Sequence, residues 1–121
     1  MSNLKVLLVD DESEFVSTLA ERLYLRGIHA NTANDGEDAL RAVMDDKPDL
    51  VILDIKMPGL SGIEVLKEIK KIDPQLPIIL LTGHGSTKEG MEGMKYGAYD
   101  YLMKPIDINE LIQKIQDAIK R

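Results

Sequence analysis

In the stretch Leu4-Lys5-Val6-Leu7-Leu8-Val9-Asp10-Asp11-Glu12, an apolar run of strand character ends abruptly in three acids. Adjacent carboxylates repel one another, so a positive partner is expected at that end. Asp and Ser are favoured N-caps, and Asp11 or Ser13 could simply cap a following helix. Capping accounts for one acid and leaves the cluster unexplained. The pattern recurs further on. Leu50-Val51-Ile52-Leu53 is apolar at every position and ends in Asp54, and the apolar segment from Pro77 to Leu81 ends in Thr82-Gly83.

Helical patterns lie between these runs. Glu14 to Leu25 carries Phe15, Val16, Leu19, Ala20 and Leu23 at helical spacing, with Gly27 as its stop. Ile28 to Thr32 reads as a short strand, and Glu37 to Asp45 as a helix bearing Ala39, Leu40, Val43 and Met44. A loop rich in Pro and Gly, Met57-Pro58-Gly59-Leu60-Ser61-Gly62, leads into a helix over Ile63 to Ile72. A weaker helix follows over Thr87 to Lys95, then a strand over Tyr99 to Met103 and a helix over Ile108 to Lys120. Five βα units predict a parallel sheet with helices on both faces, because parallel strands need crossover connections. Strands without polar alternation fit such a sheet, since both their faces are covered.

The 121 residues suffice for one domain with a real core and are too few for two ordinary ones, so a single domain over residues 1–121 is expected. A hydrophobic fraction of 44% with 30% charged residues fits a globular chain. No apolar stretch approaches the roughly 18 residues needed to span a bilayer, and no secretory signal is visible at the start. Cysteine is absent, which excludes disulfides and thiolate metal sites and fits a cytoplasmic location. A formal net charge of −6 argues against direct nucleic-acid binding, which needs clustered Lys and Arg.

In a parallel sheet every strand's carboxyl end lies on one edge. Asp10 and Asp11 end the first strand, Asp54 the third, Thr82 the fourth and Lys104 the fifth, so five polar residues distant in sequence converge there. Open α/β sheets bind ligands at this edge. Three carboxylates without His or Cys are a hard-oxygen set suited to Mg²⁺ rather than zinc. A Lys and a Thr hydroxyl beside them suit phosphoryl oxygens. Metal, ammonium and hydroxyl together form the clamp that phosphoryl transfer needs. One carboxylate can then serve as the nucleophile, and Asp54, central among the strands and followed by a flexible loop, is the best placed.

The residues also carry a family resemblance. The motifs Val9-Asp10-Asp11-Glu12, Leu53-Asp54-Ile55-Lys56-Met57-Pro58-Gly59, Leu81-Thr82-Gly83-His84-Gly85 and Tyr101-Leu102-Met103-Lys104-Pro105 occur in order at family spacings. Over essentially its whole length the chain resembles the receiver domain of two-component response regulators. The resemblance implies a doubly wound, flavodoxin-like (βα)5 fold of the CheY-like kind, with strand order 2-1-3-4-5. It implies that Asp54 accepts a phosphoryl group from a sensor histidine kinase or a histidine phosphotransfer protein. Mg²⁺, or Mn²⁺, would be held by Asp11, Asp54 and the backbone carbonyl of Lys56, with Asp10 acting mainly through water. Thr82 and Lys104 would hold phosphoryl oxygens, and Tyr101 would turn inward as Thr82 moves. The domain would promote only its own phosphorylation and dephosphorylation. Its fourth helix, fifth strand and fifth helix would address a downstream effector, an attached output domain or a second copy in a homodimer. A cis Lys104–Pro105 bond is expected on the same ground.

Departures from the family pattern are small: Ile106 stands where Phe is frequent, and Ser61 where Asp is. Lys56 and His84 fall at variable positions that tune phosphoryl lifetime; His84 reads as a loop residue beside the site, and His29 as a solvated strand position. Glu12 reads as no more than the start of a helix. Gly85-Ser86-Thr87-Lys88-Glu89-Gly90 superficially suggests a P-loop, but Met91 and Glu92 follow where Lys and Ser or Thr are required. Gly90 and Gly93 in a helix each cost about 1 kcal/mol relative to Ala. They predict that the fourth helix is the least stable element, able to shift when the site is phosphorylated, or else that it packs closely against a neighbour. Other readings fit less well. A haloacid-dehalogenase-type phosphatase wants Asp-x-Asp after its first strand, and a flavodoxin-like FMN binder wants a Ser/Thr- and Gly-rich loop there. A pseudo-receiver acting only as an interaction module would not need the intact acid, Thr and Lys set.

Overall fold

In the computed structural model, which describes residues 4–83 and 87–120, five strands form one parallel sheet. These are β1 (Lys5–Val9), β2 (His29–Ala33), β3 (Leu50–Asp54), β4 (Ile78–Thr82) and β5 (Asp100–Met103), in the order β2-β1-β3-β4-β5. The helices are α1 (Ser13–Tyr24), α2 (Gly36–Asp45), α3 (Gly62–Ile72), α4 (Thr87–Lys95) and α5 (Ile108–Ile119). The expected doubly wound (βα)5 sandwich is what the chain forms.

Period-two alternation divides each strand between two cores. Val6, Leu8, Leu50, Ile52, Ile79, Leu81 and Leu102 face α1 and α5, where they meet Val16, Leu19, Leu23, Leu111 and Ile115. Leu7, Val9, Val51, Leu53, Ile78 and Leu80 face the other layer, where they meet Ala39, Val43, Val65, Leu66 and Ile69. Both faces are apolar, as parallel strands require.

Differences from the expected elements have local causes. β2 lies at the edge of the sheet and runs one residue later than Ile28–Thr32, because its buried end is Ala33 while His29, Asn31 and Thr32 face solvent. Exposure of His29 matches its reading as a solvated position. α1 stops at Tyr24, leaving Leu25 76% exposed, and Gly27 turns the chain at φ +84°. The buried stripe of α2 ends at Val43, so Met44, expected on the inner face, points out and is 62% exposed. Ser61, the departure from Asp, is the N-cap of α3: its hydroxyl accepts from Glu64 N–H and Glu64 answers on Ser61 N–H. This reciprocal pair satisfies two otherwise orphaned donors.

The two glycines of α4 are buried against neighbours. A Cβ on Gly90 would lie 2.5 Å from the Tyr101 ring, and one on Gly93 would collide with Leu80. Close packing is therefore a sufficient reason for both.

Candidate functional site

The strand order reverses between β1 and β3, and their carboxyl ends place Asp10, Asp11 and Asp54 side by side. One carboxylate oxygen from each lies within 4.8 Å of the others. Asp10 and Asp54 are buried, at 1% and 6% exposure, whereas Asp11 is exposed. Among the described residues, the Asp11 carboxylate takes part in no hydrogen bond or ion pair, which leaves its oxygens free for an outside ligand. Asp10 is committed on both sides. Its Oδ1 accepts from Glu12 N–H at 3.0 Å and its Oδ2 from Lys104 Nζ at 2.8 Å. Neither Asp11 nor Ser13 caps α1; the N-cap position is Glu12, without a side-chain capping bond.

Lys104 supplies the positive partner that the acids require. Its Nζ is 2.8 Å from Asp10, 3.1 Å from Glu12 and 3.7 Å from Asp54 Oδ1, and it sits 4.4 Å above the Phe15 ring. Burial disfavours the ammonium, but the bond to Asp10, the charge of Asp54 and the bond to Glu12 outweigh it and raise Lys104 above its ordinary pKa. Glu12 therefore belongs to the site's ion network, contrary to its reading as a mere helix start. The sequence signal was its acidity next to Asp10 and Asp11, which helix-start statistics obscured.

Burial, then the negative charge of Asp10, pushes the Asp54 carboxyl up to about 7, against the opposing pull of Lys104. A hard-oxygen cluster carrying more negative charge than one ammonium balances fits a divalent cation.

Thr82 is fully buried at the end of β4, and its hydroxyl is hydrogen-bonded at 3.4 Å to the Leu102 carbonyl of β5. The site's ammonium and acids are thus assembled, while the Thr82 hydroxyl is engaged towards β5. The backbone of Thr82 accepts Lys104 N–H at 2.8 Å, tying the ends of β4 and β5 together, and the Lys104–Pro105 bond is cis as expected. Tyr101 is half-buried, with its ring against Gly90 of α4. His84 lies outside the described residues.

Gly62 was not singled out by the sequence motifs, yet a Cβ there would collide with the Asp54 carbonyl oxygen and lie 2.5 Å from Ile55 Cα. Its N–H donates to the Ile55 carbonyl at 2.7 Å, so α3 begins directly behind the end of β3. A cavity of about 920 Å³ opens at the opposite edge of the sheet, lined in part by Leu4, Asp49, Lys70, Tyr96 and Ile119. It contains no cluster of acids, and its Lys70 is bonded to the Pro74 and Leu76 carbonyls, so size does not mark the chemistry here.

A family model described as the response regulator receiver domain matches residues 6–116. The chain belongs to the response regulator receiver family. This receiver is 44% identical over 117 residues to the transcriptional regulatory protein CpxR of Klebsiella pneumoniae, covering 97% of this chain and 50% of that protein. It is 36% identical over 116 residues to the regulatory protein AtoC of Escherichia coli, covering 96% of this chain and 25% of that protein. The receiver thus spans about half the length, or less, of these curated relatives. Among solved structures, a response regulator receiver domain from Clostridium thermocellum superimposes with TM-score 0.93 at 40% identity, over 98% of this chain and 95% of that one. The receiver domain of NtrX from Brucella abortus gives TM-score 0.91 at 38% identity, over 95% and 98% of the two chains. No helix among the described residues is long and apolar enough to cross a membrane.

Proposed function

We propose that this receiver is a phosphoacceptor switch in which Asp54 takes a phosphoryl group from a histidine kinase or a histidine phosphotransfer protein. The observation that carries this is the meeting of three acids within 4.8 Å, with Lys104 Nζ 3.7 Å from Asp54, at the switch point of a receiver fold. An Asp54 oxygen attacks phosphorus, the O–P bond forms, and the donor's N–P bond breaks with its electron pair remaining on the imidazole nitrogen. Lys104 and the Thr82 hydroxyl take the phosphoryl oxygens. Asp11, Asp54 and the Lys56 carbonyl would hold Mg²⁺ or Mn²⁺, with Asp10 reaching it through water. Such an ion would neutralise the acids and draw charge off the phosphoryl oxygens.

The phosphoryl group adds about −1.5 to −2 charge and three acceptor oxygens. Thr82 would leave the Leu102 carbonyl for one of them, and Tyr101 would follow into the space beside it. The change is then read on α4, β5 and α5. That face already carries exposed Met91, Met94 and Met103, at 58%, 40% and 44%, and an Asp100–Lys114 ion pair at 2.6 Å. A homodimer, a downstream effector or an attached output domain is its expected partner; relatives named as transcriptional regulators favour the last. The unit is taken as one domain over residues 1–121 acting in the cytoplasm, and its own phosphorylation and dephosphorylation are the reactions it promotes. Incubation with Mg²⁺ and acetyl phosphate, followed by intact mass, tests the acceptor. Wild type gains the phosphoryl mass and Asp54→Ala does not; a modified Asp54→Ala overturns the assignment.

A further inference from the structure

The Lys104 ammonium is held from three sides. Asp10 accepts at 2.8 Å, Glu12 accepts at 3.1 Å, and the Phe15 ring centroid lies 4.4 Å away. Two of these holders sit at the start of α1, on the element that follows the acid pair rather than on β3. The Asp54 oxygen is 3.7 Å distant. Charge-assisted N–H···O⁻ bonds run to about 2.9 Å, so Lys104 and Asp54 attract each other without bonding.

We propose that Glu12 is a positioning residue. With Asp10 and the Phe15 ring, it holds the Lys104 ammonium short of the Asp54 carboxylate, so that the cation meets an oxygen carried on Asp54 instead of closing onto the acceptor itself. This rests on Asp54 being the acceptor. An ammonium is a compact charge with three donors on a flexible stem, and Asp54 is the nearest carboxylate that it does not yet bond. Direct closure would occupy an Asp54 lone pair with a hydrogen bond that has to break before phosphorus can approach. Asp10 is a divided holder, because it also accepts from Glu12 N–H and belongs to the triad that can hold a metal ion. Glu12 stands outside that triad, so its hold on Lys104 persists when the Asp10 charge is engaged elsewhere. The Glu12 side chain is 64% exposed. The tether therefore has the strength of a surface ion pair and acts by a few-fold, not by orders of magnitude.

Glu12→Ala tests this, with Glu14→Ala as the control. Glu14 is exposed in the first turn of α1, and its removal takes away the same charge without touching Lys104. In a metal-free crystal structure of Glu12→Ala, Lys104 Nζ is expected to close from 3.7 Å to about 2.8 Å from Asp54. With Mg²⁺ and acetyl phosphate, Glu12→Ala should gain the phosphoryl mass roughly two- to fivefold more slowly than wild type, and Glu14→Ala at the wild-type rate. An unmoved Lys104, a wild-type rate for Glu12→Ala, or equal slowing by Glu14→Ala overturns the role. Wild type that gains no mass on Asp54 is the failure of the acceptor reading instead, and the crystallographic distance still decides whether Glu12 holds Lys104.

Discussion

Asp54→Asn should stabilise the metal-free receiver at alkaline pH. Folding moves the Asp54 carboxyl from 3.8 to about 7, chiefly through burial and the charge of Asp10, net of the pull from Lys104. At about 1.36 kcal/mol per pKa unit, the ionised form is disfavoured by about 4 kcal/mol. Water reaches the mouth of the site past exposed Asp11, and screening of that kind reduces the figure to about 2 kcal/mol. The sign follows from linkage: a raised folded pKa leaves stability intact below 3.8 and removes it as pH climbs through about 7. Asn is nearly isosteric and never ionises. In urea unfolding with EDTA at pH 8, its midpoint should exceed that of wild type by about 1 M, for a denaturant slope of about 2 kcal/mol/M. The gap should shrink steadily as pH falls below about 7 and close below about 3.8, where Asp54 is protonated in the folded and unfolded chain alike. A gap independent of pH, or a destabilised Asp54→Asn at pH 8, refutes the electrostatic account of the site.

Asp11→Asn removes the carboxylate with open oxygens and breaks no hydrogen bond or ion pair among the described residues, while relieving its repulsion of Asp54. Its metal-free melting temperature should match or exceed that of wild type. Wild type should gain about 1.4 kcal/mol at tenfold the Mg²⁺ dissociation constant, a shift of about 5 °C, and the variant should gain none. An equal Mg²⁺ response in both removes Asp11 from the ligand set. Gly90→Ala adds about 1 kcal/mol of helix propensity but drives a methyl into the Tyr101 ring, at an overpacking cost of about 1–3 kcal/mol. The net expectation is mild destabilisation by chemical denaturation in wild type, turning to stabilisation in a Tyr101→Ala background. Equal effects in both backgrounds would show that the ring and the helix are uncoupled.

The alternation of strands and helices, the sheet's parallel sense and the convergence of Asp10, Asp11, Asp54, Thr82 and Lys104 could all be read from the sequence, because apolar runs ending in polar residues encode them directly. Element ends were less legible where a pattern is one-sided. Edge strand β2 buries too few residues to mark its register, and Met44 is apolar yet faces solvent. The partners of the site residues were hidden for a different reason. That Lys104 reaches Glu12 across 92 positions depends on side-chain reach at the end of α1. That Gly90 seats Tyr101 depends on how closely α4 approaches β5. Spacing within a linear chain carries neither quantity. For Gly90 and Gly93 the sequence offered a weakened α4 or close packing, and the folded chain shows the packing, with Tyr101 and Leu80 set against the bare backbone.

The junction at Gly62 fixes where α3 can begin relative to Asp54. Behind Asp54, helix backbone abuts strand backbone with no side chain between them to yield, and Ser61 and Glu64 lock the helix start. Backbone against backbone behaves as an anvil. Across the site, Thr82 leans on Leu102 through a long 3.4 Å bond, and Tyr101 rests on a bare glycine. α3 thus starts hard against the strand that carries Asp54, whereas α4 meets β5 through the Tyr101 ring. A single hydrogen atom in place of a side chain at residue 62 is therefore what lets α3 begin directly behind Asp54.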